Sequence, residues 1–283
     1  MYKKFNTLND EAWLALLKRS IVESVIDDVK FPGFPKEETQ VLFTSLKWND
    51  ALDEAYSFFL IAKHACGAYA KPINYNTRYL DFGVGWGRIT RMFFKDISPA
   101  NIFGVDVTPE ILNVCKNLMT VGEYKLCQPR GRLDYDDATF DLVTAFSVFS
   151  HLSPDNGKHW LRELHRVVRP GGLVVLTTLS SSFVALCRNV ATNPESNDWA
   201  TMMAASVTNS YPDWKTRLAN FPKDEVLYLS SGGGFDSMGT DDYGWAMVQE
   251  RYAREQWSEW FEVIEYRDDP EVLVQAYITL QRK

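Results

Sequence analysis

Residues Leu80–Arg88 read LDFGVGWGR and stand where an apolar run gives way to an amphipathic stretch. Gly83, Gly85 and Gly87 remove the side chains there, so main-chain N–H groups can approach a ligand closely, and a helix starting at this point adds partial positive charge. A plain tight turn between a strand and a helix is the alternative interpretation. Dinucleotide-binding loops follow GxGxxG, whereas this loop is GxGxG with Asp81 just ahead of it.

An acidic residue ends the next apolar run, NIFGVDV. This is Asp106, 25 residues (106 − 81) after Asp81. A carboxylate at the end of a second strand can accept hydrogen bonds from both hydroxyls of a ribose. A helix N-cap or a solvated loop acid is the alternative, but the glycine loop ahead of Asp106 favours the ribose role.

Strand-like and helix-like stretches alternate on both sides of this loop. The strand candidates are RYLDFG, NIFGVDV, EYKLCQ, FDLVTAFSVF and GGLVVLTTL, and the helix candidates between them are RITRMFFKD, PEILNVCKNLM and SPDNGKHWLRELHRVV. This alternation predicts βαβ units, a mostly parallel sheet and helices on both of its faces. FEVIEYRDD and QAYITLQRK close the chain with too few residues between them for a crossover, which predicts an antiparallel hairpin at the sheet edge.

Two helical patterns precede the alternating region. Apolar residues recur at helical spacing over Leu8–Val29, where Thr7 and Asp10 resemble a capping box, and again over Asp50–Tyr69. We therefore expect residues 1–75 to form an N-terminal helical cap.

Residues 76–283 are expected to form the α/β domain, with residues 180–257 as an insertion because the alternation fails there. Gly232–Phe235 lacks a following Lys-Ser/Thr and a preceding strand, so it is interpreted as a lid segment rather than a phosphate loop. The aromatic residues of the insertion are expected either to wall an acceptor pocket or to fill the core of a small subdomain; they are Trp199, Tyr211, Trp214, Phe235, Tyr243 and Trp245.

Composition narrows the classes of partner. The net charge of −7 argues against nucleic acid as a partner, and no apolar run is long enough to span a membrane. The four cysteines form no CxxC pair, and no apolar leader opens the chain, so free thiols in a cytoplasmic protein are expected. Asp136 and Asp137 lack a third ligand at metal-binding spacing, and no metal is expected. The oligomeric state stays open.

Four motifs in order resemble those of the Rossmann-like, class I S-adenosylmethionine-dependent methyltransferases. DFGVGWGR is similar to that family's glycine-rich first motif and VDVTPE to its acidic second-strand motif. FDLVTAFSVFSHL is similar to the fourth strand, and RVVRPGGLVVLTT to the turn into the fifth. The resemblance covers Arg78–Thr178 and, more loosely, the chain from Phe261. It implies a Rossmann-like seven-stranded, mostly parallel sheet with one antiparallel edge strand, accompanied by N-terminal helices and an inserted lid segment.

The resemblance also implies an S-adenosylmethionine site along the carboxyl ends of the strands. Gly83, Gly85 and Gly87 would lie under the methionine and sulfonium portion. Asp81 would help to hold the amino group, directly or through water, and Asp106 would take the ribose.

Five further positions are expected to complete that site. Val107 would pack on the adenine, and Gln128 stands where the family often has an acid that bonds the adenine amino group. Phe146 and Ser147 would line the junction of cofactor and acceptor. His151 is the candidate general base, since the ordinary pKa of histidine lies near neutral pH; a packing role is the alternative.

The predicted activity is methyl transfer to an oxygen or nitrogen of a small molecule or sugar, with S-adenosylhomocysteine as product. Because a sulfonium is already a good leaving group, the protein mainly has to align the acceptor and exclude water. A non-catalytic cofactor-binding partner subunit is one alternative. An NAD-linked oxidoreductase is a weaker one, since it predicts GxGxxG and a catalytic Tyr-x-x-x-Lys or His, and neither is evident.

Overall fold

The computed structural model describes residues 1–193, 198–231 and 242–283. The chain divides into two compact units. The first comprises Met1–Phe146 with Val167–Val175, and the second comprises Ser147–Arg166 with Leu176–Lys283. The glycine-rich stretch therefore lies in the first unit and the irregular residues 180–257 in the second.

The first unit combines N-terminal helices with the start of a large sheet. Its α-helices are α1 (Asp10–Arg19), α2 (Glu37–Thr44), α3 (Trp48–Tyr69) and α4 (Pro109–Leu118). Its strands are β1 (Val25–Ile26), β2 (Val29–Lys30), β3 (Tyr79–Phe82), β4 (Ile102–Asp106), β5 (Glu123–Leu126), β6 (Phe140–Ala145) and β7 (Val168–Thr178), of which β7 continues into the second unit. Short 3-10 helices occur at Tyr2–Phe5, Thr90–Phe93 and Pro99–Asn101.

The second unit carries the remaining elements. Its helices are α5 (Pro154–Val167, whose last residue belongs to the first unit), α6 (Ser182–Thr192), α7 (Asp198–Ser210), α8 (Trp214–Ala219) and α9 (Glu250–Gln256). Its strands are β8 (Val226–Ser230), β9 (Gly244–Val248), β10 (Phe261–Arg267) and β11 (Ala276–Arg282).

Seven strands form one sheet in the order β10-β11-β7-β6-β3-β4-β5. β3 runs parallel to β4 and to β6, and β4 runs parallel to β5. Every residue of β3 and β4 is buried, as expected for parallel strands covered on both faces. β10 is the edge strand and pairs antiparallel with β11. The predicted Rossmann-like fold and its closing antiparallel hairpin are confirmed.

The first helix is shorter than the sequence predicts. The expected range Leu8–Val29 shortens to α1, which ends at Arg19. Asp27 and Asp28 adopt left-handed φ angles of 49° and 61° and turn the chain, so that β1 and β2 pair antiparallel across them. β-branched side chains that suggested a helix face are therefore in a small hairpin.

The expected capping box is also wrong. Asn9, rather than Thr7, is the N-cap of α1, and its side chain accepts a hydrogen bond from the N–H of Ala12 at 2.8 Å. The second helical pattern, Asp50–Tyr69, is confirmed by α3, which starts two residues earlier.

The stretch RITRMFFKD does not form the predicted α-helix. Only Thr90–Phe93 is helical, as a short 3-10 turn. The residues from Trp86 to Lys95 are buried without a break, so this stretch has no solvent face of the kind an amphipathic helix presents. The apparent helical spacing reflects burial on all sides.

The N-terminal segment packs into the first unit through aromatic side chains. The indole Nε1–H of Trp13 donates to the carbonyl of Met92 at 2.9 Å, so the ring is anchored as well as buried. Its aromatic neighbours make edge or tilted ring contacts with one another; they are Tyr2, Phe5, Phe31 and Phe94.

Residues 180–257 contain a hydrophobic cluster of their own, built from α6, α7, α8 and the antiparallel pair β8–β9. Tyr211, Trp214 and Trp245 pack against this cluster, which favours the subdomain-core alternative for these three rings. The side chain of Trp199 and the stretch Gly232–Phe235 lie outside the described residues.

Two general expectations can be compared with the described residues. All four cysteines are buried and unpaired, which confirms the expected free thiols. Within the described ranges, α3 and the shorter helices lack the combined length and sustained apolar character of a bilayer-spanning helix.

Gly104, in the middle of β4, provides a test of sheet packing. A Cβ at this position would lie 2.8 Å from side-chain atoms of both Tyr124 and Val84. Gly104→Ala should therefore lower the free energy of unfolding by about 1–3 kcal/mol, measured by urea denaturation.

The same substitution at Gly67 is the matched control. Gly67 is exposed within α3 and a Cβ there would meet no atom within 4 Å. Gly67→Ala should raise the free energy of unfolding by about 0.5–1 kcal/mol. A loss of similar size in both variants would contradict this account of β4.

Candidate cofactor site

The candidate residues of the first unit gather where the parallel strands of the sheet have their carboxyl ends. In the register of the parallel strands, Asp81 in β3 is level with Gly104 of β4 and with Thr144 of β6. Asp106 ends β4 level with Leu126, the last residue of β5. The carboxyl ends of these strands therefore meet, as the sequence analysis expected.

The loop after β3 is folded by its glycines. Gly83, Gly85 and Gly87 have φ angles of 83°, 52° and 84°, in the region that favours glycine. The N–H groups of Gly83 and Val84 both donate to the carbonyl of Val105, and that of Gly87 donates to Val84, each at 2.9 Å. These amides are therefore used within the protein, which differs from the expectation that they face a ligand.

What the loop offers instead is space at its middle glycine. A Cβ built on Gly85 would meet no atom within 4 Å. At Gly87, by contrast, a Cβ would lie 2.4 Å from Sδ of Met119. Gly87 thus allows close packing against the end of α4, whereas protein packing does not require a glycine at position 85.

The Asp106 carboxylate is held by two main-chain groups. Oδ2 accepts from the N–H of Gly85 and Oδ1 from the N–H of Thr108, both at 2.9 Å. Burial raises the pKa of Asp106, opposed by hydrogen bonds from Thr108 and Gly85. Within the described residues Asp106 forms no ion pair, so hydroxyl donors on a ligand would satisfy an oriented, buried acceptor.

Asp81 lies deeper, with an exposed fraction of 1 %. The hydroxyl of Thr90 donates to its Oδ2 at 2.5 Å, and that of Thr144 to its Oδ1 at 3.4 Å. Burial raises the pKa of Asp81 to about 7, against the opposing effect of the threonine hydroxyls and with a smaller contribution from the Asp106 charge. A nearby ligand cation would favour the charged form of this carboxyl.

The other expected residues of the first unit flank this edge. Val107 is half-buried directly after Asp106, and Gln128 is exposed two residues after β5. Phe146 follows β6, where its ring lies 5.0 Å from that of Phe58 and 4.9 Å from the guanidinium carbon of Arg88. The three positions are therefore compatible with contacts to a ligand on the strand ends.

Arg88 and Trp86 have structural roles in the loop. Arg88 Nη1 lies 2.5 Å from the carboxylate of Glu54 in α3 and donates to the carbonyl of Ala51. Trp86 is 1 % exposed and belongs to a core cluster with Ala51 and Ile111.

Ser147 and His151 belong to the second unit. Ser147 has a left-handed φ of 57°, unusual for a serine, and its N–H donates to Oγ1 of Thr177 at 2.7 Å. Gln275 joins the two, because it accepts from Thr177 at 2.6 Å and donates to Ser147 Oγ at 2.9 Å. The Nδ1 atom of His151 lies 2.8 Å from the carbonyl oxygen of Gly244.

Several supporting residues escaped the sequence analysis. Thr108 follows Asp106 by two residues, the spacing at which an aspartate side chain bonds the main chain, so local pattern alone could have found it. Thr90 and Thr144 come from a later turn and another strand, and Thr177 and Gln275 lie far apart in sequence. No local spacing indicates those four.

Within 1–193, 198–231 and 242–283, no group of three His, Cys, Asp or Glu side chains is arranged to hold a metal ion.

Comparison with known proteins assigns a family to this region. Residues 80–176 match the family described as methyltransferase domain. The chain is 30 % identical over 112 residues to a malonyl-[acyl-carrier protein] O-methyltransferase from Marinomonas sp. (strain MWYL1), covering 38 % of this chain and 40 % of that protein. It is 27 % identical over 179 residues to a tRNA (carboxymethyluridine(34)-5-O)-methyltransferase from Arabidopsis thaliana, covering 62 % of this chain and 41 % of that one. The chain thus spans about two fifths of the length of these curated relatives.

A solved structure supports the same fold. The 1,6-didemethyltoxoflavin-N1-methyltransferase from Burkholderia thailandensis, solved with 1,6-didemethyltoxoflavin and S-adenosylhomocysteine, aligns with a TM-score of 0.51 at 15 % identity. The alignment covers 97 % of this chain and 91 % of that one. At this identity the likeness concerns the fold.

The buried Asp81 carboxyl predicts a pH-dependent stability difference. Its folded pKa of about 7 lies above the ordinary value of 3.8, so its contribution to stability is present at low pH and is lost as the pH rises towards 7. Asp81→Asn removes this ionisation. Relative to the wild type, the variant should therefore gain about 2–3 kcal/mol of unfolding free energy between pH 5 and pH 8, measured by urea denaturation.

Asp136→Asn, at an exposed carboxyl, is the control and should show the same difference from the wild type at both pH values. An Asp81→Asn difference that does not change with pH would contradict the assignment.

Proposed function

We propose that this chain, a member of the class I S-adenosylmethionine-dependent methyltransferase family, transfers a methyl group from S-adenosylmethionine to an oxygen or nitrogen atom of a small molecule or sugar. The observation that carries the proposal is the Asp106 carboxylate, which main-chain N–H groups of Gly85 and Thr108 hold in place beside the open space at Gly85. A vicinal diol of a ribose presents two donors to such a carboxylate, and the unfilled volume at Gly85 leaves room for the adjoining part of the nucleoside.

The remaining contacts are assigned by position along the same edge. Val107 packs on the adenine, and Gln128 bonds its exocyclic amino group. Asp81 attracts the amino group of the methionine portion, directly or through water. Phe146 and Ser147 follow β6 and are assigned to the junction of cofactor and acceptor.

The cofactor supplies an electrophilic methyl group and, on transfer, a neutral thioether. The residues of this chain have to orient the acceptor, keep water away and, for an acceptor that carries a proton, remove it. A protein nucleophile is not required. This agrees with the buried, unpaired state of the four cysteines. Burial raises the pKa of each of the four thiols, to about 12 for Cys66.

The proposed domain boundaries are those that the sequence predicts. Residues 1–75 are the cap and residues 76–283 are the methyltransferase domain. The insertion at residues 180–257 is assigned to the acceptor side. A small acceptor agrees with the net charge of −7, which disfavours a polyanionic nucleic acid. Since one relative is named for tRNA, an RNA acceptor is the alternative that has to be tested.

Replacement of Asp106 tests the cofactor assignment. Asp106→Ala removes a charged hydrogen-bond acceptor, worth about 1.5–3 kcal/mol, so the Kd of S-adenosylhomocysteine should rise at least about tenfold in calorimetry. Asp136→Ala is the control at an exposed carboxyl and should leave the Kd within about twofold. An unchanged Kd for a folded Asp106→Ala protein would refute the ribose role, and preferential binding of NAD would refute the proposed class.

The acceptor class is tested with S-adenosylmethionine labelled in its methyl group. The protein is incubated with a cell extract, which is then separated into small molecules, RNA and protein, and label is expected in the small-molecule fraction. Label in RNA would contradict the proposed acceptor. Tight binding of S-adenosylhomocysteine without label in any fraction would favour the non-catalytic partner subunit.

A further inference from the structure

The turn that follows β6 pairs through main-chain hydrogen bonds with residues 242–246, which include the start of β9. Ala246 N–H donates to the carbonyl of Ser150 at 2.7 Å, and Gly244 N–H donates to the carbonyl of His151 at 2.8 Å. Ser153 N–H donates to the carbonyl of Asp242 at 3.3 Å. These three bonds form a short antiparallel ladder within the second unit, and they fix the main chain on both sides of His151.

The same segment also fixes the His151 imidazole. Nδ1 lies 2.8 Å from the carbonyl oxygen of Gly244, and a carbonyl can only accept, so Nδ1 carries the hydrogen. The ring of Tyr243 stacks on the imidazole with centroids 4.8 Å apart and planes at 8°. In a neutral ring with a hydrogen on Nδ1, Nε2 bears a lone pair.

The free nitrogen has the properties of a proton acceptor. Among the described residues Nε2 has no hydrogen-bond partner, and the side chain is half-buried. Burial lowers the pKa of His151, opposed by the bond to Gly244, so the neutral ring predominates at neutral pH. No carboxylate is among the causes that act on the His151 pKa.

We propose that residues 242–246, through the Gly244 carbonyl and the Tyr243 ring, hold His151 as the Nδ1–H tautomer so that Nε2 takes a proton from the methyl acceptor. The acceptor class is then narrowed to groups that lose a proton on methylation, a hydroxyl or an N–H. This inference rests on the proposed methyl transfer and adds two positioning residues to it. His151 follows Phe146 by five residues (151 − 146), just after the strand whose end lies at the candidate cofactor edge.

The proton step balances without another reactant. The acceptor's O–H or N–H bond breaks, its electron pair stays on the acceptor atom, and the proton bonds to the Nε2 lone pair. His151 becomes an imidazolium and returns the proton to water after the acceptor has been methylated.

Close packing at Gly244 fixes the position of the carbonyl that bonds His151. A Cβ at Gly244 would lie 2.1 Å from the carbonyl oxygen of Leu229 in β8, so only glycine fits there. The β8–β9 pair therefore sets where the Gly244 carbonyl points, and the tautomer of His151 depends on a hairpin of the insertion. Variants at Tyr243 test the arrangement without disturbing that close contact.

The direct test is the nitrogen NMR spectrum of the full-length protein with 15N-labelled histidine, assigned with His151→Gln. The expected His151 pattern at neutral pH is a protonated Nδ1 and an unprotonated Nε2. A proton on Nε2, or a doubly protonated ring, would overturn the proposal.

Two variants of Tyr243 add a graded test. Tyr243→Phe keeps the ring and should keep the wild-type tautomer, whereas Tyr243→Leu removes the stacking and should convert part of His151 to the Nε2–H tautomer. An unchanged tautomer in a folded Tyr243→Leu protein would remove Tyr243 from the proposal. If that variant does not fold, the wild-type spectrum still decides the tautomer.

A kinetic arm tests the use of the lone pair. In the extract fraction that accepts label, His151→Gln should lower the rate of methyl incorporation about a hundredfold at saturating cofactor while the Kd of S-adenosylhomocysteine stays within about twofold. Tyr243→Leu should lower the rate less. An unchanged rate for His151→Gln would overturn the inference while leaving the proposed function intact. Failure of the wild type to bind S-adenosylhomocysteine would instead refute the proposed function.

Discussion

The pair of main-chain hydrogen bonds to the Asp106 carboxylate is the interaction on which the rest of this account depends. It ties the end of β4 to the glycine loop after β3 at Gly85 and to the start of α4 at Thr108. A buried carboxylate without a cation is costly unless hydrogen bonds satisfy it. The backbone therefore orients Asp106 in advance, and a ligand that brings hydroxyl donors meets a carboxylate that does not have to move. The loop contributes chiefly its shape, since four of its amides are bonded within the protein.

The glycine loop that holds Asp106 is itself packed against the N-terminal region within the first unit. Arg88 at the end of the loop pairs with Glu54 of α3, and Trp86 is buried beside Ala51 of the same helix. Gly87 allows Met119, just after α4, to pack directly against the loop. The glycine loop is thus held by α3, which precedes the sheet in sequence, and by the residue that follows α4. In the second unit, the insertion plays a comparable part for His151 through Tyr243 and Gly244.

The sequence predicted those features of the fold and candidate site that depend on local pattern. Alternation of strands and helices over Arg78–Thr178 predicted the parallel sheet, and the short connection before Gln275 predicted the hairpin. Where the prediction was wrong, tertiary burial had imitated a helical period: Thr90–Phe93 is buried on all sides, and Val25 to Val29 form a hairpin around two aspartates with left-handed φ. The threonines that hold Asp81 and the glutamine that bonds Ser147 come from distant positions. Only the folded chain brings them together.

A crystal structure of the protein with S-adenosylhomocysteine would show directly whether Asp106 binds the ribose. Both ribose hydroxyls are expected within hydrogen-bond distance of the Asp106 carboxylate oxygens, with the bonds from the Gly85 and Thr108 N–H groups retained and the nucleoside over the open side of Gly85. Nucleoside density at another site, with the Asp106 carboxylate bonded only to the protein, would contradict it.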